Sequence, residues 1–199
     1  MLNEHHLPES PGDRFAYRAT RALRYFADSL FVGRYGHRAV VLETIAAVPG
    51  MVGGMLRHMR SLRRLESDKG RIRVLLDEAQ NERMHLMIFL DIAKPTWLER
   101  WLILLAQGTF FSAYLLLYMI SARTAHRLIG YFEEEAVTSY TEYLAEIDNG
   151  KLANSQAPQI ASEYYQLSAN AKLSDVITAV RADEIRHRDE NHNIANALS

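Results

Sequence analysis

Between Trp101 and Ile120 the chain runs for 20 residues without a charged side chain. A helix of that length is about enough to cross the hydrocarbon core of a bilayer. Two other settings suit it equally: a helix buried on all sides in a bundle, or one lying in a single leaflet. Gln107, Gly108, Thr109 and Ser112 fall in the middle of the run. Trp97, Arg100 and Trp101 flank one end and Tyr118, Arg123 and Arg127 the other. Aromatic and basic residues at both ends are typical of a segment that touches a membrane.

The rest of the chain also reads as helix. Gly and Pro punctuate it at wide intervals, and no alternation lasts long enough for a strand. The pattern predicts helices over 14–35, 38–66, 69–93, 97–122, 126–148 and 172–196, with a less periodic stretch at 149–171. Short connections favour antiparallel neighbours. Residues 1–12 read as a disordered start without the features of a secretory signal, and 13–199 as a single domain. If the protein is organellar, its targeting segment lies outside this sequence. In the first helix Phe15, Leu23, Tyr25, Phe26, Leu30 and Phe31 supply apolar bulk, and Arg14, Arg18, Arg21, Arg24 and Arg34 supply cations. Such a helix can lie on anionic lipid, so with the uncharged run it favours attachment to one leaflet.

The absence of cysteine excludes a disulfide framework, a zinc ribbon, an iron–sulfur cluster and a thiol nucleophile. A formal net charge of -1 gives no reason to expect nucleic acid as a partner. It conceals an asymmetry, because residues 1–75 carry 13 Lys and Arg against 7 acids, whereas 76–199 carry 10 against 17.

Chemistry enters with two pairs, Glu82 with His85 and Glu184 with His187. A spacing of three puts both side chains on one helix face. One such pair is commonplace. Two on separate long helices, with a lone carboxylate from each of two others, make the ligand pattern of di-iron and di-manganese four-helix bundles. Glu43 stands alone in the apolar stretch Val40–Val48, where a carboxylate is costly to bury without compensation. In the run Glu133-Glu134-Glu135, Glu133 falls on the apolar side with Ile129, Ala136, Val137 and Tyr140, whereas Glu134 reads as solvated. Four carboxylates and two imidazoles suit iron or manganese and are poor for zinc or copper. The fold expected is therefore all-α: a ferritin-like four-helix bundle, with two further helices forming an interfacial, monotopic membrane face.

The blocks Leu42-Glu-Thr-Ile-Ala-Ala-Val-Pro-Gly-Met51, Asn81-Glu-Arg-Met-His-Leu-Met87, Glu133-Glu-Glu-Ala136 and Arg181-Ala-Asp-Glu184 with His187 occur in this order. From about Asp13 to Asn196 the chain resembles the alternative oxidases, membrane-bound, cyanide-resistant quinol oxidases with a non-haem di-iron centre. The resemblance implies two iron ions held by Glu43, Glu82, Glu133 and Glu184, with His85 and His187 completing or flanking the shell. It implies hydrogen-bonding support from Asn81, His126, Asp183, Tyr140 and Tyr164. Tyr140, two turns after Glu133, is also placed to pass an electron and a proton. For the quinol it implies Arg38, Leu42, Glu135, Ala136 and Ser139. It further implies ubiquinol and O2 as substrates, a lipid surface and a homodimer. A bacterial cytoplasmic membrane is the location expected, with the matrix side of the mitochondrial inner membrane as the eukaryotic counterpart. The chain departs from the family at Arg186, where a histidine is common, and at Tyr165, where tryptophan is usual. The rival readings are a di-iron hydroxylase of a quinone precursor, a ferritin-like ferroxidase, and a non-enzymatic membrane-surface bundle with buried ion pairs.

Overall fold

Ser10 starts the first helix. Its hydroxyl accepts from the Asp13 amide at 3.1 Å while the Asp13 carboxylate accepts from the Ser10 amide at 3.0 Å, and Pro11 fills the first helical position. Such a reciprocal cap contributes about 1 kcal/mol. The computed structural model describes residues 5–31 and 33–198. Its helices are α1 Pro11–Leu30, α2 Tyr35–Arg64, α3 Arg71–Ala93, α4 Trp97–Ile120, α5 Ala122–Asp148, α6 Gln159–Tyr165 and α7 Leu173–Ala197. Among the described residues there is no strand, only an isolated bridge between Gln156 and Lys172. The protein is all-α, as expected. α6 is the one element absent from the sequence reading, since seven residues are too few for a 3.6-residue period to show.

The chain divides into two compact units. One holds residues up to 35 and from 122, and the other residues 36–121. In the first, α5 packs along α7, α1 lies on α5, and α6 rests on α7. Ile129 and Val137 of α5 and Val176, Ile177 and Val180 of α7 are among its buried side chains.

A buried ionic cluster ties α1 to α5. Asp13 accepts from Arg123 Nη1 at 3.0 Å and from Arg127 Nε at 3.2 Å, and both Asp13 and Arg127 are inaccessible to solvent. Arg123 and Arg127, expected to flank a membrane segment, are therefore partners of Asp13. The reason lies in sequence distance, because the carboxylate that claims them is more than a hundred residues away.

The start of the chain also differs from expectation. α1 begins at Pro11, and ahead of it His5 Nδ1 bonds the Glu134 carboxylate, whose Oε1 also accepts from the His6 amide at 2.9 Å. Residues 5–12 are thus held against α5, while Met1–Glu4 lie outside the described residues.

In the second unit α2 carries Pro49 in its interior, followed by Gly50, Gly53 and Gly54, all buried. A Cβ on Gly50 would sit 2.3 Å from the Leu75 carbonyl oxygen and 2.9 Å from the Ala79 methyl of α3. The glycine is required by this approach of the two helices rather than by its dihedral angles. Gly50→Ala should cost about 1–3 kcal/mol as overpacking, read as a lower midpoint in urea; an unchanged midpoint would contradict the close approach.

α4 begins with a second reciprocal cap between Thr96 and Glu99. Among the described residues two helices, α2 and α4, are apolar and long enough to cross a membrane. α2 has 56 % of its apolar stretch buried, whereas α4 has 6 % of its own buried and exposes Trp101, Leu105 and Ile120 among others. Of the three settings open to the uncharged run, burial in a bundle is excluded in this unit.

Candidate metal centre

The buried stripe of α3 passes through Leu75, Glu78, Glu82, His85 and Phe89, successive positions of one helix face. Glu43 comes from the buried stretch of α2 that includes Ala39, Val40 and Ala47. His85 Nδ1 lies 3.3 Å from Glu43 Oε2 and 3.5 Å from Glu82 Oε2, and all three side chains are buried. One imidazole thus faces two carboxylates, and Glu43, Glu82 and His85 each offer a ligand atom within 4.8 Å of the others. Glu82 and His85 come together because they are three residues apart on α3, and Glu43 because α2 runs close to it at Gly50.

The other unit supplies a second set. On α7, Glu184 and His187 are buried, with His187 Nδ1 3.6 Å from Glu184 Oε2. On α5, Glu133 is buried between Ile129 and Val137. The same ring nitrogen, Nδ1, turns toward a carboxylate in both pairs. Hard oxygens, two imidazoles and no sulfur are donors that fit iron, and a metal would offset part of the cost of burying so many carboxylates.

The family model for alternative oxidase matches residues 1–196. The chain belongs to the alternative oxidase family. It is 56% identical over 191 residues to ubiquinol oxidase 1c, mitochondrial, of Arabidopsis thaliana, covering 96% of this chain and 58% of that protein. The same identity and coverages hold for ubiquinol oxidase 1a, mitochondrial, of Oryza sativa subsp. japonica. Ubiquinol oxidase, mitochondrial, of Mangifera indica is 55% identical, with 60% of its length matched. The chain therefore spans somewhat over half the length of these relatives. Their names are mitochondrial, so the expectation of a bacterial membrane finds no support in them.

Of the supporting residues the family implies, Asn81, His126, Tyr140 and Asp183 are buried. His126 Nδ1 donates to Asn191 Oδ1 at 2.9 Å, and Asn191 Nδ2 donates to the His187 carbonyl at 3.0 Å. His126 thus acts on the backbone of His187 through Asn191, which the sequence reading overlooked. Asn191 was visible there, because it lies four residues beyond His187 and seven beyond Glu184, on the same face.

Tyr164 is 38 % exposed, and the hydroxyl of the adjacent Tyr165 donates to Asp183 Oδ2 at 2.8 Å. The other Asp183 oxygen is held by Arg186. Tyr165 and Arg186, both departures from the family pattern, thus meet at the carboxylate next to Glu184. Replacing such an outer partner of a metal site costs about 10–100-fold. Tyr165→Phe should retain the fold and lose activity in that range, and full activity would remove Tyr165 from the supporting ring.

The run of three glutamates divides differently from expectation. Glu134 is not solvated, because it takes His5, the His6 amide and His192 Nε2, the last at 2.9 Å. Burial alone would raise its pKa, but these donors hold it below the usual carboxylate range. Glu134→Gln weakens this clasp, and faster proteolysis ahead of Pro11 with unchanged metal content is expected; an equally protected segment would contradict the clasp. Glu135 bonds Arg21 at 2.9 Å and also Arg24, while Arg24 reaches Glu142 at 2.9 Å. Arg21 and Arg24, expected among lipid headgroups, are therefore neutralised within the protein.

Proposed function

We propose that the protein is a ubiquinol oxidase that reduces O2 to water at a di-iron carboxylate centre, insensitive to cyanide and without proton pumping. The observation that carries this reading is the buried imidazole of His85 between Glu43 and Glu82. Glu43, Glu82, Glu133 and Glu184 would hold the two irons, with His85 and His187 completing the donors. Bound iron supplies the electron transfers to oxygen. The chain's own residues do the rest. His126 and Asn191 orient the backbone of His187, and Tyr165 with Arg186 fixes Asp183 beside Glu184. Tyr140, buried on α5, holds a phenolic proton available to the site.

Arg38, Leu42, Glu135, Ala136 and Ser139 are the residues proposed to receive the quinol. Arg38 is buried and offers a fixed guanidinium to a quinol oxygen. Two quinols give up four electrons and four protons per O2, so the balance closes with two waters and two quinones. Phe15, Tyr25, Phe26 and Leu30 of α1 are exposed, as is most of α4. These surfaces are the proposed attachment to one leaflet, from which a lipid-soluble quinol enters, and association as a homodimer completes the reading.

The test is oxygen uptake by the purified, iron-loaded protein with ubiquinol in cyanide. Uptake that persists, with oxidised quinone as product, is expected. A ring-hydroxylated product, or uptake abolished by cyanide, would overturn the reading.

A further inference from the structure

Oxidation of a quinol releases protons as well as electrons, and the residues proposed above to receive it hold no open base. Arg38 is a permanent cation that only donates, Leu42 and Ala136 have no titratable group, and the Ser139 hydroxyl is no base near neutrality. The Glu135 carboxylate is taken by Arg21 at 2.9 Å and by Arg24. Imidazole is the side chain that takes up and releases a proton in this range. Of the eight histidines, His85 and His187 belong to the metal centre. His5 and His192 are bonded to Glu134, His126 to Asn191, and His6 stacks on His192. His58 stands about 30 Å beyond Arg38 along α2. His37, the residue before Arg38, remains.

Its surroundings are those of a held base. His37 Nδ1 lies 3.0 Å from Oε1 of Glu99, in the first turn of α4. That nitrogen is shielded from solvent, yet the side chain as a whole is 25 % exposed. No other hydrogen bond or ion pair reaches the ring among the described residues. Glu99 is itself fixed, because its Oε2 accepts from the Thr96 amide at 2.8 Å and from the Thr96 hydroxyl at 2.9 Å. The α4 cap uses that oxygen alone, so it does not account for Oε1 facing the imidazole. A carboxylate beside Nδ1 keeps the ring proton there and leaves the lone pair on Nε2, the open nitrogen. The pair stands where α4 presents Trp97, Leu98 and Trp101 to the surface, within the proposed leaflet attachment. A lipid-soluble quinol arrives on that side.

We propose that His37 is the base that takes the first proton from the quinol, with Glu99 as the residue that positions it. The two hydroxyls of a quinol lie on opposite sides of its ring, so one can accept from Arg38 while the other donates to His37 Nε2. A phenolic hydroxyl is a weak acid, with a pKa of about 10 in tyrosine, and needs a base to lose its proton near neutrality. In this step the O–H bond breaks, the proton joins Nε2, and the electron passes to the iron of the reading above. The half-oxidised ring is a much stronger acid and releases its second proton to water as its second electron leaves, which gives the quinone. Glu99 stabilises the imidazolium, which then passes the first proton from Nε2 to water at the surface and returns to its neutral form.

The proposal rests on the quinol oxidase reading, and assays of the iron-loaded full chain with ubiquinol separate the two. His37→Asn keeps an amide donor for Glu99 and removes the base. Its iron content and melting midpoint should hold, while kcat falls about 100-fold and KM changes little. Glu99→Gln keeps a side chain that can cap α4 and should lower kcat about tenfold. His37→Ala should fall as His37→Asn does and regain activity with added imidazole, which a purely structural pair would not do. The oxygen half of the reaction moves no quinol proton, so each variant, once reduced with dithionite, should react with O2 at the unaltered rate. Full kcat in His37→Asn would overturn the role of His37 and leave the quinol oxidase reading in place. The same holds for His37→Ala that imidazole does not rescue, and for an equally slowed oxygen half. An unaltered protein that takes up no oxygen with ubiquinol would remove both.

Discussion

Glu82→Ala and Glu184→Ala should each release iron and lower quinol-dependent oxygen uptake by more than about 100-fold, the upper end of what loss of a mere outer partner costs a metal site. Each removes a buried carboxylate three residues from a buried imidazole. Glu43→Ala and Glu133→Ala should behave alike, because Glu134 and Glu135 beside Glu133 are engaged by His5 and His192 and by Arg21 and Arg24. A second readout does not depend on turnover. Bound iron stabilises only the folded chain. Removing either Glu43 or Glu82 should therefore lower the thermal midpoint of the iron-loaded protein toward that of the metal-free one. Elemental analysis, the oxygen electrode and paired melting curves check this. Variants that kept both iron and full activity would take Glu82 and Glu184 out of the ligand set.

How much of this was legible in the sequence depends on the distance over which each signal acts. The Glu82–His85 and Glu184–His187 pairs are local, and a spacing of three on a helix leaves little freedom, so the geometry matches the expectation. The uncharged run was legible as a helix in need of an apolar environment. Its exposure along α4 was not, because an all-apolar helix has the same sequence whether protein or lipid surrounds it. Arg123 and Arg127 illustrate the opposite case. Beside an apolar run they carry the local pattern of a membrane flank, and only the fold brings Asp13 to them.

Glu134 failed for a related reason. In a run of three acids helical periodicity assigns a direction to each, and it correctly turned Glu133 inward. It turned Glu134 out to solvent, because the partners that take it, His5 and His192, come from both ends of the chain. The bond from Tyr165 to Asp183 was not legible either. One position on a helix is a rotation of about 100°, and a seven-residue helix has too short an apolar pattern to fix which tyrosine faces Asp183.

The largest effect on stability should come from Asp13→Ala, at about 3–5 kcal/mol, the range for removing one member of a buried ion pair. The cost arises from what stays behind. Arg127 is 1 % exposed, and without Asp13 its guanidinium keeps only neutral partners, His192 Nδ1 at 2.8 Å and Asn196 Oδ1 at 2.6 Å. Water cannot replace the lost charge at that depth. The dependence on pH follows from the state of the carboxyl. Burial by itself would raise the Asp13 pKa, but hydrogen bonds from Ser10 and Arg123, with the charge of Arg123, hold it well below the ordinary carboxylate range. A group with a depressed folded pKa contributes its stability in full above its unfolded value, about 3.9 for Asp. That contribution is lost as the pH falls from there toward the folded pKa. The difference between the unaltered protein and Asp13→Ala should thus be constant from neutrality to about pH 5 and shrink below about pH 4. Urea unfolding at several pH values measures it, and a difference that did not shrink in acid would show that the carboxylate charge is not what Arg127 requires.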